Sequence, residues 1–273
     1  MTASPSEFEI FWRTVLARAY PRVVGLSRNL SWLFFDFAFP LVGTFAMVFV
    51  YQGLHAPRQY LGFVVMGGGM LAFWQNVLWT MGTQFSWDRG NGTLELMAVS
   101  PTSFEAVLIG MAGGAMIMTT LRAVAIIVLG SLLFGVTYNL GGLPPAIGVF
   151  LLTLAALYGL GMLLASLFLF YSREAWHLGD AIQEPVNFLS GLYFPVHALG
   201  AYVGGAASVI PVTLGLDAMR QFLLPGTPRF LDPGLETVIV ALEIPLFAIL
   251  AVSSLRFMEV RARREGKLIS KWS

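Results

Sequence analysis

The 273-residue sequence contains no cysteine, and only 11% of its residues are charged. The first absence excludes disulfide frameworks, thiolate metal sites and cysteine nucleophiles. The second excludes an ordinary water-exposed globule, because soluble domains devote roughly a quarter of their residues to charge. Only three histidines occur, His55, His177 and His197, at scattered positions. H-E-x-x-H and G-x-S-x-G are both missing, which leaves a membrane-embedded enzyme without its usual boxes. G-x-x-x-x-G-K-[ST] is missing as well, since Gly266-Lys267 lacks the rest of that cradle. What the chain has in plenty is apolar: 57% hydrophobic and 14% aromatic residues, with a mean hydropathy of +0.75. Its solvent must be partly lipid.

A helix crosses the hydrocarbon core with about 20 mainly apolar residues. Six segments approach that length, at about 30–52, 60–82, 105–136, 144–170, 175–194 and 235–256. The third is long enough to tilt. The fifth is interrupted by Asp180, Glu184 and Pro185. Residues 195–233 hold Gly200, Gly204, Gly205, Pro211, Gly215, Pro225, Gly226 and Pro228, a composition that suits neither lipid nor water. Short helices that dip into the membrane and return are expected there, shielded by protein.

Ahead of the first span, Phe8, Phe11, Trp12, Val15, Leu16, Ala19 and Tyr20 recur at spacings of three and four. Arg13, Arg18 and Arg22 take the other faces, so an amphipathic helix at an anionic membrane surface is expected. Ser6 with Glu9 suits a capping box, and Pro21 is expected to end or bend the segment. The expected fold is an all-α polytopic membrane protein. Residues 1–29 form an interface helix, residues 30–256 a six-span domain with re-entrant helices before the last span, and residues 257–273 a basic tail. Gly67-Gly68-Gly69, Gly110 with Gly114, and Gly161 with Ala165 offer small faces for close helix packing.

Orientation follows from lysine and arginine. With the N-terminus inside, the inner segments collect Arg13, Arg18, Arg22, Arg28, Arg89, Arg173, Arg256, Arg261, Arg263, Arg264, Lys267 and Lys271, twelve of the sixteen cations. The outer segments hold Arg58, Arg220 and Arg229, and Arg122 falls within a span. Both termini are therefore expected in the cytoplasm of a cell whose plasma (inner) membrane the chain crosses, which keeps the Asn91-Gly92-Thr93 sequon from glycosylation.

This topology places the loop 87–103, WDRGNGTLELMAVSPTS, on the cytoplasmic side. Gly90 and Gly92 permit a sharp turn, and residues 93–99 favour a turn or two of helix that Pro101 stops. Thr102 with Glu105 suits a cap for the next span. A short helix lying along the membrane surface is expected, with Leu94, Met97 and Ala98 available to a socket on a soluble partner.

Asp88-Arg89-Gly90-Asn91-Gly92-Thr93-Leu94-Glu95-Leu96, followed by Ser100-Pro101, resembles the E-R-G-T-L-E-x-L…T-P loop of type-2 ATP-binding cassette (ABC) exporter permeases. Residues 189–195, LSGLYFP, with Ile210-Pro211 and Asp217-Ala218-Met219-Arg220, are similar to that family's SG-x-x-F-P…NP-x-x…A-x-R stretch. Asn91 stands between the two glycines, and Ile210 replaces the common asparagine. The resemblance implies a dimeric export path, built from two such subunits or from a homologous pair, and driven by two separate ATPase subunits. Those partners would bind ATP and magnesium, and this chain would need no cofactor of its own. The resemblance makes Asp88, Arg89, Gly90, Gly92, Thr93, Leu94, Glu95, Leu96 and Met97 the coupling helix, braced by the N-terminal helix. Arg173 and Glu174 would add a smaller contact. The stretch with Gly191, Phe194, Pro195, Pro211 and Arg220 would form the outer gate. Membrane lipid is the other expected partner, and nucleic acid is not one.

An arginine at the bilayer centre costs about 2.5–3.5 kcal/mol on insertion scales. Arg122 is therefore expected to pair with Glu184 or Asp180, either as a register-fixing pair or as a polar patch on the translocation path. Glu243 lies within the sixth span. Asp36 is expected to meet Arg28 or a lipid headgroup. Trp32, Phe34, Phe35, Phe37 and Phe39 near one membrane boundary, and Phe73, Trp74 and Trp79 in the second span, serve packing and anchoring or else stack on a substrate. The scarcity of charge in the spans points to hydrophobic or amphipathic cargo: a drug, a lipid or a lipid-linked glycan. The competing reading is a stand-alone ion- or proton-coupled carrier with Asp180, Glu184 and Glu243 as relay groups. The lack of an internal repeat weighs against it.

Overall fold

The computed structural model describes residues 6–28, 30–93, 96–97, 100–170 and 175–264, and every regular element among them is helical. In chain order these are α1 (Glu7–Arg28), α2 (Leu30–Gly53), α3 (Gln59–Gln75), α4 (Gln84–Gly90), α5 (Phe104–Phe134), α6 (Leu143–Phe170), α7 (Ala175–Leu189), α8 (Gly200–Ala207), α9 (Pro211–Leu223) and α10 (Pro233–Arg264). A π-helical stretch, Asn76–Gly82, joins α3 to α4, so that Gln59–Asp88 runs as one long rod.

Among the described residues five helices are long and apolar enough to cross a bilayer: Phe34–Gly53, Gln59–Asp88, Phe104–Phe134, Leu140–Phe168 and Pro233–Arg261. The segment expected as the fifth of six spans instead forms the 15-residue α7. At about 1.5 Å per residue such a helix is shorter than the hydrocarbon core is thick. Pro21 does not end α1: the helix continues to Arg28. The last helix likewise runs to Arg264, so the tail expected from 257 begins as an extension of the span.

The rod α3 is the centre of the bundle. Along Gln59–Asp88, 94% of the most apolar stretch is buried, against 11% for Phe34–Gly53. Glycine makes this burial possible at two places. A Cβ at Gly67 would lie 1.6 Å from the Leu192 carbonyl oxygen, and one at Gly68 would lie 2.1 Å from Thr44 Oγ1. The Ser190–Tyr193 turn and α2 can therefore sit directly on the α3 backbone. Around α3, helices α6 and α10 form the most extensive pair, with Ser166 and Ser254 hydroxyls 2.7 Å apart. Helix α1 is not a free surface helix. It packs along α5, where a Cβ at Gly110 or Gly114 would come within 2.4 or 2.6 Å of the carbonyl oxygens of Val15 and Ala19.

The two ends of the bundle can be told apart by contacts distant in sequence. At one end Met81, Phe85, Met97, Phe104 and Leu255 form a single apolar cluster, and Arg256 Nε lies 3.7 Å from Glu105 Oε1. At the other end the Tyr51 hydroxyl donates to the Tyr193 carbonyl at 2.8 Å, and Asn139 N donates to the Leu223 carbonyl at 2.8 Å. Helix α1 and the C-terminal end of α10 share the first end, together with the loop after α4.

Candidate coupling end and intramembrane polar sites

At the first end the loop turns at Gly92, whose φ of 72° suits glycine. Thr93, Leu96 and Met97 are helical. Leu94, Glu95, Ala98, Val99, Arg173 and Glu174, together with the side chain of Arg89, lie outside the described residues. The turn is closed from within: the Thr93 hydroxyl lies 2.9 Å from Asp88 Oδ1 and 3.0 Å from the Asp88 carbonyl oxygen. Asp88 is 5% exposed and faces Arg18 Nη1 of α1 at 3.9 Å. One turn along α1, Arg22 donates to Gln84 Oε1. Burial pushes the Arg22 guanidinium below its usual value; Asp88 opposes the shift and Arg18 adds to it. Arg18 and Arg22 thus turn inward to clasp α4, while Arg13 stays exposed with Glu9 at 2.7 Å. Phe8, Trp12, Leu16 and Tyr20 line the opposite, exposed stripe.

Two expectations for this end are corrected. Met97 is 8% exposed and packs with Phe85 and Phe104, so it anchors the loop to its own bundle and offers nothing to a socket. Leu96, 68% exposed, projects instead. The cap of α5 is Ser103, whose hydroxyl accepts from Ala106 N at 3.2 Å. Thr102 pairs with the Ser100 hydroxyl, and Glu105 meets Arg256. Ser6 does cap α1 through Glu9 N at 3.2 Å, whereas the Glu9 side chain turns forward to Arg13. Between α1 and the loop lies a cleft of about 330 Å³ lined by Thr14, Arg18, Thr93, Leu96 and Thr102.

Within the membrane region the expected partners of Arg122 are also corrected. Arg122 Nη1 donates to Asp36 Oδ1 at 2.7 Å and to the Asp36 carbonyl at 3.3 Å. Asp180 and Glu184 lie on exposed positions of α7, which packs only lightly on the rest of the chain, held there by Trp79 Nε1 donating to Gln183 Oε1. Glu243, 5% exposed, sits on α10. No direct ion pair or hydrogen bond among the described residues joins these three acids. Asp36 was the missed partner. Its signal was an acid one to three residues from Phe34, Phe35, Phe37 and Phe39, too deep in an aromatic segment to be left to a headgroup. Beside the pair, Phe35, Phe39, Pro40 and Gln75 complete a recess of about 220 Å³.

At the far end Arg220 is 1% exposed and ties three elements together. It donates to the carbonyls of Gly191 at 2.6 Å, Leu192 at 2.8 Å and Phe63 at 2.8 Å, and its guanidinium carbon lies 3.2 Å over the Phe63 ring. Charge-assisted bonds and stacking of this kind offset the cost of burying the cation. Gly191 (φ 70°) makes the turn. Pro195 and the half-buried Phe194 follow it, and Pro211 opens α9. The residues expected at the outer gate therefore include one buried staple, Arg220 with Gly191. A second network went unread in the sequence. Asp217 Oδ2 accepts from Phe230 N at 2.9 Å and from Gln221 Nε2 at 3.1 Å, and Gln221 also donates to Glu236 Oε2 at 2.9 Å. It fastens α9 to the start of α10.

Long apolar helices around a central rod, with a clasped polar loop at one end and a cation-stapled turn at the other, are the architecture of an integral membrane protein. The sequence matches the family of ABC-2 type transporters over residues 12–224, and the chain belongs to that family. No curated protein matches it.

Proposed function

We propose that this chain is the permease subunit of an ATP-driven exporter, working as a dimer with two separate ATPase subunits that supply the ATP and magnesium sites. The observation that carries the reading is the clasp at the coupling end. A loop that follows α4, which Arg18 and Arg22 of α1 hold at Asp88 and Gln84, and that is bound to the core through Met97 leaves Leu96 projecting. A push on such a loop moves α1, the rod α3 and α5 together, which is the requirement for converting ATPase closure into alternating access.

The six crossings, with both termini at the cytoplasmic face, belong to the same proposal. Helix α7 and the turn after it rise from the coupling end to Tyr193 beside Tyr51, and so serve as the short crossing. Two faces are left for a second copy: the lightly buried α2, and α7 with its exposed Asp180 and Glu184, which lipid would not tolerate well. The recess at Arg122, Asp36 and Gln75 opens beside Phe35 and Phe39 on α2, and would sit on the path between copies. Apolar walls with one neutralised ion pair suit an amphipathic cargo.

The test is co-purification with the ATPase, followed by hydrolysis assays in liposomes. Replacing residues 92–96 by a flexible Gly-Ser linker is expected to leave the permease folded and to abolish cargo-stimulated ATP hydrolysis. Full stimulation after that replacement, or transport by this chain alone, would sink the proposal.

A further inference from the structure

Helices α5 and α6 follow one another in sequence yet barely meet. Between them is a slot of about 280 Å³, floored by Met66 and Met70 of α3 and Met219 of α9. Its lips are Val124 on α5 and Ile147 on α6, each 49% exposed, and Ala146 lies behind them. The slot lies nearer the end of the bundle marked by Asn139 and Leu223 than the coupling end, since Ala146 is only one turn into α6. Thr120 has the only polar side chain in its lining.

We propose that this slot holds one acyl chain of a membrane lipid. An apolar cavity of about 150 Å³ already takes benzene and stays dry, and water needs two to four polar partners to enter. The slot is larger than that and offers a single hydroxyl. Left empty, it would forfeit the dispersion contacts of its whole lining. Its mouth lies between two helices at bilayer depth, with apolar lips continuous with the exposed outer faces of both spans, so hydrocarbon is the neighbouring phase. A helix of a second copy, roughly 10–12 Å across, cannot enter a space of this volume, whereas a single alkyl chain can. Three methionines supply an adaptable floor for a chain of variable length and unsaturation. The absence of any cation in the lining leaves the headgroup outside and unselected. This inference goes beyond the transport reading and stands without it.

The experiment uses the full chain in nanodiscs of phosphatidylethanolamine and phosphatidylglycerol, doped with a phosphatidylcholine that carries a diazirine midway along one acyl chain. After irradiation, peptides covering 120–127 and 143–150 are expected to carry several-fold more label than the stretch at Leu132 and Leu133, although those two side chains are more exposed than the slot lips. Ala146→Phe, and separately Ala123→Phe on the opposite wall, are expected to cut the slot label several-fold while leaving the Leu132–Leu133 label unchanged. Two filling variants guard against one that fails to fold, which size exclusion would reveal. Slot labelling no higher than at Leu132 and Leu133, or undiminished in a folded filled variant, overturns the proposal. So does a disulfide-linked dimer from Ile147→Cys in this otherwise cysteine-free chain, because a second copy would then cover the mouth.

Discussion

Arg122 and Asp36 stand 2.7 Å apart, and their ion pair fastens the lightly buried α2 to α5 across a separation of 86 residues. Removing one partner of a fully buried pair costs about 3–5 kcal/mol, whereas replacing both with apolar groups is near neutral. Asp36 is 28% exposed against 10% for Arg122, so the loss here falls below that range. Arg122→Met alone is therefore expected to lower the melting temperature in detergent clearly. The double variant Arg122→Met, Asp36→Leu should recover most of the loss. If the recess is part of the path, the double variant stays folded and assembled yet transports poorly. Normal transport by a folded double variant would make the pair purely architectural.

The docking of α1 gives a sharper comparison, because three glycines of α5 differ only in what faces them. A Cβ at Gly110 or Gly114 meets the α1 backbone, while one at Gly113 meets nothing within 4 Å. Gly110→Ala and Gly114→Ala are expected to cost about 1–3 kcal/mol through overpacking and to expose α1 to protease. Gly113→Ala should be neutral, or up to about 1 kcal/mol stabilising, from helix propensity alone. Equal effects at 113 and 114 would show that α1 does not lie where the glycines place it.

The same glycines explain what was legible beforehand. Long apolar runs announce crossing helices, and paired glycines announce close approach, because both signals are local. The amphipathic stripe of α1 was readable too, but its inner arginines were not assigned to Gln84 and Asp88, because such contacts join residues far apart in sequence. Charge pairing inside the membrane failed for the same reason. Spacing along one helix put Asp180 and Glu184 on one face, yet nothing in it says which neighbouring helix brings a partner to Arg122. Met97 misled because its apolar side chain serves a socket and a core equally well. Only the packing of Phe85 and Phe104 decides between them.

Arg220 is the staple of the far end, and its planar fork matters more than its charge. Arg220→Met strands two buried carbonyls of the turn, those of Gly191 and Leu192, each worth about 1–3 kcal/mol when left unsatisfied, and removes a second bond from the Phe63 carbonyl. Arg220→Lys keeps the charge but cannot reach all three while lying flat over Phe63, and should fall between wild type and the methionine variant. Gly67→Ala is expected to mimic the arginine variants, because its Cβ would strike the Leu192 carbonyl that Arg220 holds. Limited proteolysis within 190–199 and thermal melting are the measurements. A stable, protease-resistant Gly67→Ala protein would refute this account of the turn.

The number of crossings can be read from sidedness, and the lack of cysteine makes the reading clean. Leu96 is exposed at the coupling end, and Arg256 shares that end through Glu105. Leu54 and Tyr202, 73% and 96% exposed, belong to the other end. Single cysteines at 96 and 256 are expected to react with a membrane-impermeant maleimide only in inverted vesicles, and those at 54 and 202 only in right-side-out ones. The pattern tests two premises separately. If all four sites swap sides together, the basic residues have misled about orientation and the path of the chain still holds. If position 202 sides with position 96 while 54 does not, Ala175–Leu189 does not cross. In that case α8 and α9 would have to lie at the cytoplasmic face, and the Tyr51–Tyr193 contact could not survive, since it binds those two faces at one end.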